Sequence, residues 1–435
     1  MIVNGSRMPL GRAHLLASMV MREIRRAGLP AEAVSPLGSL RRFAPDVGDV
    51  SLLAVGPPAD RAEMLDAFLT LPLVTGVLAR LPTSVEVATE RGRVRLHVTA
   101  REDAGAALVW HTGALRHTAQ LQIRANRLGL VLRDGLLSKP NGVLISAPDE
   151  QEVYRRLDLP FISPELREGL DEISMAARGA LPVLVSPADI RGDLHMHSTW
   201  SDGRDSIQHM VLAAKQLGYQ YVAITDHSER AAASRKLLAL EIPIQREEIE
   251  VLRSRIHGIE ILHGVEVDIM PDGSLDFDDT QLQGFDIVLA SLHDDRGDDG
   301  ARLTERYVQA MRNPLVNIIT HPANRSPAFT SGYDLDYDRL FAVAIETGTA
   351  MEVDGAPGHL DMDGTIARRA VEAGVTIVID SDCHRAEALE RQMRFGIGTA
   401  RRGWVQASHV LNARSVDAVR AFVARKRNQE RGGRH

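Results

Sequence analysis

Residues 192–203, GDLHMHSTWSDG, and 221–228, YVAITDHS, follow one plan: a short apolar run closes on histidine, serine and aspartate. The plan recurs at 259–268 (IEILHGVEVD), 285–295 (FDIVLASLHDD), 316–324 (VNIITHPAN), 350–357 (AMEVDGAP) and 375–384 (VTIVIDSDCH). Short β-branched runs of this kind predict buried strands. Between most of them lie stretches with helical spacing, such as 206–218 (SIQHMVLAAKQLG) and 365–374 (TIARRAVEAG). Strand–helix alternation predicts a parallel α/β architecture, and about seven such units would close into a barrel akin to the eightfold one. Chemistry in such barrels sits at the C-terminal strand ends, where the polar clusters fall.

In chain order those ends offer His195, His197, Asp202, His227, Glu266, His293, His321, Asp382 and His384. A single histidine after a strand is more often a surface or hydrogen-bonded residue than a ligand. Recurrence at six of the seven ends changes that balance. Residues i and i+2 of a strand face one side, so His195 with His197, and Asp382 with His384, are expected to face one centre. Mixed imidazole and carboxylate donors suit zinc, manganese or iron, whereas a magnesium site is richer in oxygen. Nine donors exceed the needs of one ion, so two or three divalent ions are implied, Mn²⁺ or Zn²⁺ with iron as an option. A multinuclear cluster suits phosphate ester hydrolysis, since ions make hydroxide available near neutral pH and clamp phosphoryl oxygens.

Outward from this half the rhythm changes. Residues 14–28 have apolar positions at helical spacing and a glycine stop, which predicts an amphipathic helix. Val50–Val55 and Val94–Val98 read as strands, and residues 101–180 as mostly helical, ending in a proline-bearing linker, LPVLVSP (181–187). The basic tail RKRNQERGGRH (425–435) is expected to fray. At 435 residues, 44% hydrophobic and 25% charged, the chain has an ordinary composition and the length of two or three domains. Its net charge of −7 is uneven: residues 1–185 hold 22 Lys and Arg against 20 Asp and Glu, leaving 29 against 38 for the rest. A globally basic nucleic-acid binder is excluded, but phosphate substrates are not. No apolar run approaches the ~18 residues of a membrane span, and no secretory pattern opens the chain. The lone Cys383 rules out an internal disulfide framework and suits a reducing compartment, so a cytoplasmic location is expected.

The segments DLHMHSTWSDG, AITDHS, GVEVDI, SLH, THP and IDSDCH resemble the motif set of the PHP (polymerase and histidinol phosphatase) superfamily over about residues 186–412. That resemblance implies a distorted (β/α)7 barrel with a trinuclear centre. It assigns His195, His197, Glu266 and Asp382 to one ion, Glu266, His293 and His321 to a second, and Asp202, His227 and His384 to a third. Glu266 would be the bridge, and Glu266, Asp382 and His197 the catalytic core.

A longer resemblance covers nearly the whole chain. PLGRAHLLASMVMREI, GSLRR, VGDVSLLAV, GAALVWHTGALRH, PFISPELREG, DIRGDLHMHSTWSDG and GIGTARRGW are similar to bacterial family X DNA polymerases, which join a polymerase to a C-terminal PHP phosphoesterase with manganese-dependent 3′–5′ exonuclease activity. It implies an α+β nucleotidyltransferase-like palm (1–100), a thumb-like region with linker (101–185) and the PHP barrel with its tail (186–435). The sequence opens at the palm, so the family's N-terminal helical DNA-gripping domains are expected to be missing. Of the family's three palm carboxylates Asp49 survives, while Ser51 and Arg95 stand at the other two positions. A hydroxyl is a poor bridging ligand and a guanidinium repels metal ions. Thr112-Gly113-Ala114-Leu115 replaces the family's T-G-S motif and its following lysine. Polymerase activity is therefore expected to be lost. Gly38, Ser39, Arg41 and Arg42 still spell the family's triphosphate turn, which would bind a nucleotide or DNA backbone or serve only as a folding turn.

Among other residues, Asp226 reads as an orienting partner or helix cap, and His263, Asp268 and Asp354 as structural or orienting rather than ligating. Asp354 stands where the family commonly has Asn. Arg325 and Arg385 are candidates for substrate phosphate, with surface arginines the alternative. Trp200 and Tyr221 are candidates for base stacking, with packing as the default, and Cys383 is read as a buried inert thiol. The function expected is hydrolysis of DNA phosphoesters, as a 3′–5′ exonuclease or 3′-end processing enzyme in repair. The rivals are a small-molecule phosphatase of the histidinol-phosphate or nucleotide type and a non-enzymatic DNA-binding scaffold.

Overall fold

The structure, a computed structural model, describes residues 7–295 and 297–429. The chain divides between Pro182 and Val183 into two compact units.

The first unit is built on a five-stranded sheet. Its strands are β1 (Ala33–Pro36), β2 (Val50–Val55), β3 (Gly76–Leu81), β4 (Ser84–Thr89) and β5 (Gly92–Thr99), in the order β1-β2-β5-β4-β3. Only β2 and β5 pair in parallel. Val94, Leu96 and Val98 are buried as their alternation predicts, and helix α1 (Leu10–Arg26) buries Leu16, Val20 and Ile24. The region read as mostly helical holds α2 (Ala104–Thr112), α3 (Leu115–Arg127) and α4 (Glu150–Arg156), but also an antiparallel hairpin, Val131–Arg133 with Leu136–Ser138. Asp134 and Gly135, both with positive φ, make its two-residue turn.

The second unit is a barrel of seven parallel strands in sequential order: β6 (Gly192–Asp193), β7 (Tyr221–Ile224), β8 (Glu260–Asp268), β9 (Ile287–Ser291), β10 (Ile318–Ile319), β11 (Ala350–Asp354) and β12 (Ile377–Asp380). A parallel bridge between Met196 and Cys383 joins the first strand to the last. Strand parity sorts the side chains: Val222, Ile224, Val288 and Ala290 face the helices, whereas Tyr221, Ala223, Ile287 and Leu289 face the interior. The final helix, α5 (Val416–Gln429), adds Val419, Phe422 and Val423 to that interior cluster, against residues that begin the strands. This end is therefore apolar and closed, which leaves the C-terminal strand ends for polar groups.

Two expectations need correction. The stretch read as a linker is partly barrel: Val185 is fully buried, and its amide donates to the Val405 carbonyl. The tail does not fray from residue 425, because residues 425–429 continue α5 and Lys426 is buried. The last six tail residues, 430–435, lie outside the described residues. No helix among the described residues is long and apolar enough to cross a membrane.

Candidate metal centre

Glu266 sits at the middle of the strand-end cluster, wholly buried near the end of β8. One carboxylate oxygen lies 2.9 Å from His321 Nε2 and 3.7 Å from His293 Nε2. The other lies 2.8 Å from His227 Nδ1, 3.4 Å from His195 Nε2 and 3.5 Å from His197 Nε2. Asp382 Oδ1 is 3.1 Å from His197 Nε2, 3.6 Å from His195 Nε2 and 3.6 Å from His384 Nδ1. Asp202 Oδ1 is 3.2 Å from His384 Nε2 and 3.6 Å from His227 Nε2. All nine strand-end residues thus meet in one place, around a cavity of about 200 Å³ lined by Asp202, His227, His293, His321, His359, Asp382 and His384. His195, His197 and Glu266 lie at its floor, fully buried, while the side chains of His293 (17% exposed), Asp202 (21%) and His384 (32%) form the mouth.

Several polar atoms at these contacts have no hydrogen-bond partner. His195 and His197 point their Nε2 atoms at each other at 3.1 Å. Glu266 Oε2 and His227 Nδ1, 2.8 Å apart, are misaligned for a hydrogen bond, and both lack any partner although buried, as does Asp202 Oδ1. Buried polar atoms are rarely left so unless an ion or water serves them. Five groups fit an ion by distance: His197, Asp202, His227 and His384; His195, His197 and Asp382; His195, Glu266 and His321; His227, Glu266 and His293; and Asp354, His359 and Asp382. Burial opposes charge on Glu266, yet the imidazoles of His227 and His195 hold its carboxyl well below the usual range. Burial works against His195 in the same way, and the carboxylates of Glu352, Glu266 and Asp382 raise it well above an ordinary histidine. An acidic pocket of this kind selects for cations.

Other residues fix the rings. His195 Nδ1 lies 2.7 Å from Glu352 Oε1, and the second oxygen of Glu352 accepts the His321 amide at 2.8 Å. His293 Nδ1 lies 2.8 Å from Asp268 Oδ1. Each leaves Nε2 as the donor facing Glu266, the arrangement by which carboxylates orient metal-binding imidazoles. Asp226 accepts hydrogen bonds from the amides and hydroxyls of Ser198 and Ser201 and from Gln245 Nε2, so it braces the loop after β6 and caps no helix. Gly203 belongs to the same loop: a Cβ there would come within 2.6 Å of the backbone of His197 and Ser198.

Pleating does not bring Asp382 to the centre. The strand ends at Asp380, and Asp382 has φ +47°, so a left-handed turn delivers it, as a φ of +24° delivers His321. Cys383 is buried, its thiol pushed by burial up to about 12 and directed at the Arg385 carbonyl. Of the two candidate phosphate arginines, Arg325 pairs with Asp363 at 3.0 Å and Arg385 faces Glu387 at 3.8 Å. Trp200 packs on the outer core and donates to Glu248, Tyr221 lies in the barrel interior, and His263 rests on Phe285 beside Gln245. Tyr221 and His263 are thus packed residues, and Trp200 is partly buried against the core. Glu352 and His359 escaped the sequence reading. The first sits in a run indistinguishable from buried strand, and the second lies in a loop beyond any strand end.

In the first unit the expected palm residues are tied to one another. Ser51 Oγ donates to Asp49 Oδ2 at 2.9 Å, and Arg95, paired in register with Ser51, forms a salt bridge with Glu86 at 2.5 Å. Arg41 binds Glu150 and Thr112 Oγ1, and Arg42 binds Glu168 and the Thr112 carbonyl, so both arginines of the Gly38–Ser39 turn are engaged within the unit.

A PHP domain model matches residues 193–329, and a DNA polymerase beta thumb model matches residues 107–168. The DNA polymerase/3′–5′ exonuclease PolX of Bacillus subtilis (strain 168) is 37% identical over 396 residues, which is 90% of this chain and 68% of the relative. A "Probable phosphatase" of Thermoanaerobacter sp. (strain X514) is 34% identical over 204 residues, covering 44% of this chain and 78% of the relative. Another, of Caldanaerobacter subterraneus subsp. tengcongensis, is 30% identical over 254 residues, covering 56% of this chain and 94% of the relative.

Proposed function

The chain belongs to the PolX family of bacterial DNA polymerase/3′–5′ exonucleases, and on that premise we propose that it is a metal-dependent phosphoesterase of DNA 3′ ends without polymerase activity. The carrying observation is the set of nine imidazole and carboxylate groups that meet around one cavity, with Glu266 Oε2, His227 Nδ1 and Asp202 Oδ1 buried and unpartnered. We assign His195, His197, Glu266 and Asp382 to one ion, Glu266, His293 and His321 to a second, and Asp202, His227 and His384 to a third, with Mn²⁺ or Zn²⁺ as occupants. Divalent ions held there would supply a nucleophilic water near neutral pH and neutralise charge on the phosphoryl and leaving oxygens. The chain's own groups set the geometry. Glu352 and Asp268 hold the His195 and His293 rings, the buried floor keeps bulk water from the carboxylates, and the open mouth at Asp202, His293 and His384 admits the ester. Loss of polymerisation follows from Ser51 and Arg95, since a palm that offers one carboxylate and a guanidinium holds no metal pair. A role in DNA repair in the cytoplasm agrees with the family and the lone cysteine.

The cavity, about 200 Å³, also suits a phosphomonoester, and phosphatases are among the relatives. This supports a second reading, a small-molecule phosphatase. One experiment separates the two. The purified chain is incubated with a labelled 3′-recessed duplex and with phosphomonoesters, in Mn²⁺, Zn²⁺ and chelator. Manganese-dependent shortening from the 3′ end is expected; fast monoester turnover with an intact duplex would replace the first reading by the second, and no hydrolysis in any metal would end both.

A further inference from the structure

The cluster assigned above takes no ligand from β11, yet this strand also ends at the cavity. Asp354, its last residue, is fully buried. One oxygen accepts the Ala356 amide at 2.5 Å, whereas Oδ2 is buried without a hydrogen-bond partner. Five residues on, His359 stacks on His321 with ring centres 4.8 Å apart and planes 19° apart, and its Nδ1 is buried and unpartnered as well. Donor atoms of Asp354, His359 and Asp382 all lie within 4.8 Å of one another. His359 and Asp382 both line the cavity.

Buried carboxylate oxygens and ring nitrogens left without a partner call for a cation, a proton or a water. A phosphate oxygen would be repelled by the two carboxylates here. We propose that Asp354, His359 and Asp382 form a divalent-cation site additional to the cluster assigned above, with Asp382 shared between the two. The inference rests on that assignment, since Asp382 belongs to both. It replaces the orienting role read for Asp354 from the sequence. Two oxygens and one imidazole suit Mn²⁺ better than the nitrogen-rich set around His197 does.

The test is equilibrium dialysis of the full chain, stripped with chelator, against MnCl2, with manganese per chain measured for the parent, Asp354→Asn, His359→Gln and the double variant. Each single variant is expected to hold one ion fewer than the parent, and the double variant the same one fewer, because both residues serve one ion. Asp354→Asn keeps an acceptor for Ala356, and circular dichroism checks the fold of each protein; if one variant unfolds, the other carries the test. A parent that binds manganese while the variants bind equally much would overturn this site and leave the main cluster standing. Loss of two or more ions in the double variant would overturn it too, by showing damage to the main cluster. A parent that binds none would remove both.

Discussion

The strand ends of the barrel and the strand pair β2–β5 of the first unit both gather charged residues, and they treat them oppositely. At the barrel ends, ring nitrogens and carboxylates crowd together: two Nε2 atoms meet at 3.1 Å, and buried Glu266 Oε2 has no hydrogen-bond partner. Around β2 and β5 the polar groups have found partners, Asp49 Oδ2 accepting from Ser51 Oγ and Arg95 pairing with Glu86 of β4. An arrangement that is electrostatically incomplete by itself is built for a missing cation, whereas one that satisfies itself has no vacancy to fill. The difference marks the barrel cluster as the candidate site more sharply than residue identity does.

The comparison breaks first, and most severely, at Glu266. Glu266→Gln or Asp382→Asn is expected to lower hydrolysis about a thousandfold, the rate equivalent of the several kcal/mol an ion contributes to the transition state. Circular dichroism should stay as in the parent; hydrolysis at the parent rate would refute the metal centre. Next comes Glu352→Gln, which leaves every assigned ligand in place but frees the His195 ring. About a 10–100-fold loss of manganese affinity is expected, as for other residues that orient ligands. Binding that is unchanged would show that Glu352 serves the strand alone.

The strand ends were legible because apolar runs of strand length each stopped at a polar residue, and seven repeats of that pattern leave few architectures. His195 and His197 stood out by type and spacing. The turns at His321 and Asp382 did not, since positive φ in a non-glycine residue is imposed by packing from both sides and leaves no local signal. Glu352 was hidden because a buried carboxylate inside a strand looks the same in sequence as a solvated one. Edge strand β3 was missed for the opposite reason: it buries none of its residues and carries no alternation to read. That two palm carboxylates are replaced could be read from Ser51 and Arg95, but that Arg95 would turn to Glu86 required β4, whose pairing with β5 residue identity alone does not give.

A smaller effect sharpens the comparison at the barrel's closed end. Lys426 is buried with only the Met311 carbonyl and Thr349 Oγ1 as partners, and burial pulls its pKa down to about 7 from 10.5. The folded chain therefore releases this proton near pH 7 and the unfolded chain near 10.5, so the unfolded state binds more protons in between. Stability contributed by this residue should rise with pH across that window, by on the order of 1–2 kcal/mol between pH 7 and 9. Denaturant melts of the parent and Lys426→Met at both pH values read the difference. Equal pH slopes would mean that the amine keeps its charge and that the closed end tolerates an unpaired cation.

The least effect is expected where the comparison says nothing is left to break. Asp49→Asn and Arg95→Ala should leave barrel hydrolysis unchanged. Arg95→Ala should cost no more than about 1 kcal/mol of stability, the range for a partly exposed ion pair. Arg95 is 42% exposed against 12% for Glu86, so its loss leaves a carboxylate that water can still reach. Primer extension with Mg²⁺ supplies the decisive measurement: the parent is expected to add no nucleotide. Extension by the parent that disappears in Asp49→Asn would mean that the surviving carboxylate still holds a catalytic metal. Self-satisfaction of charges would then be a poor guide to a dead site.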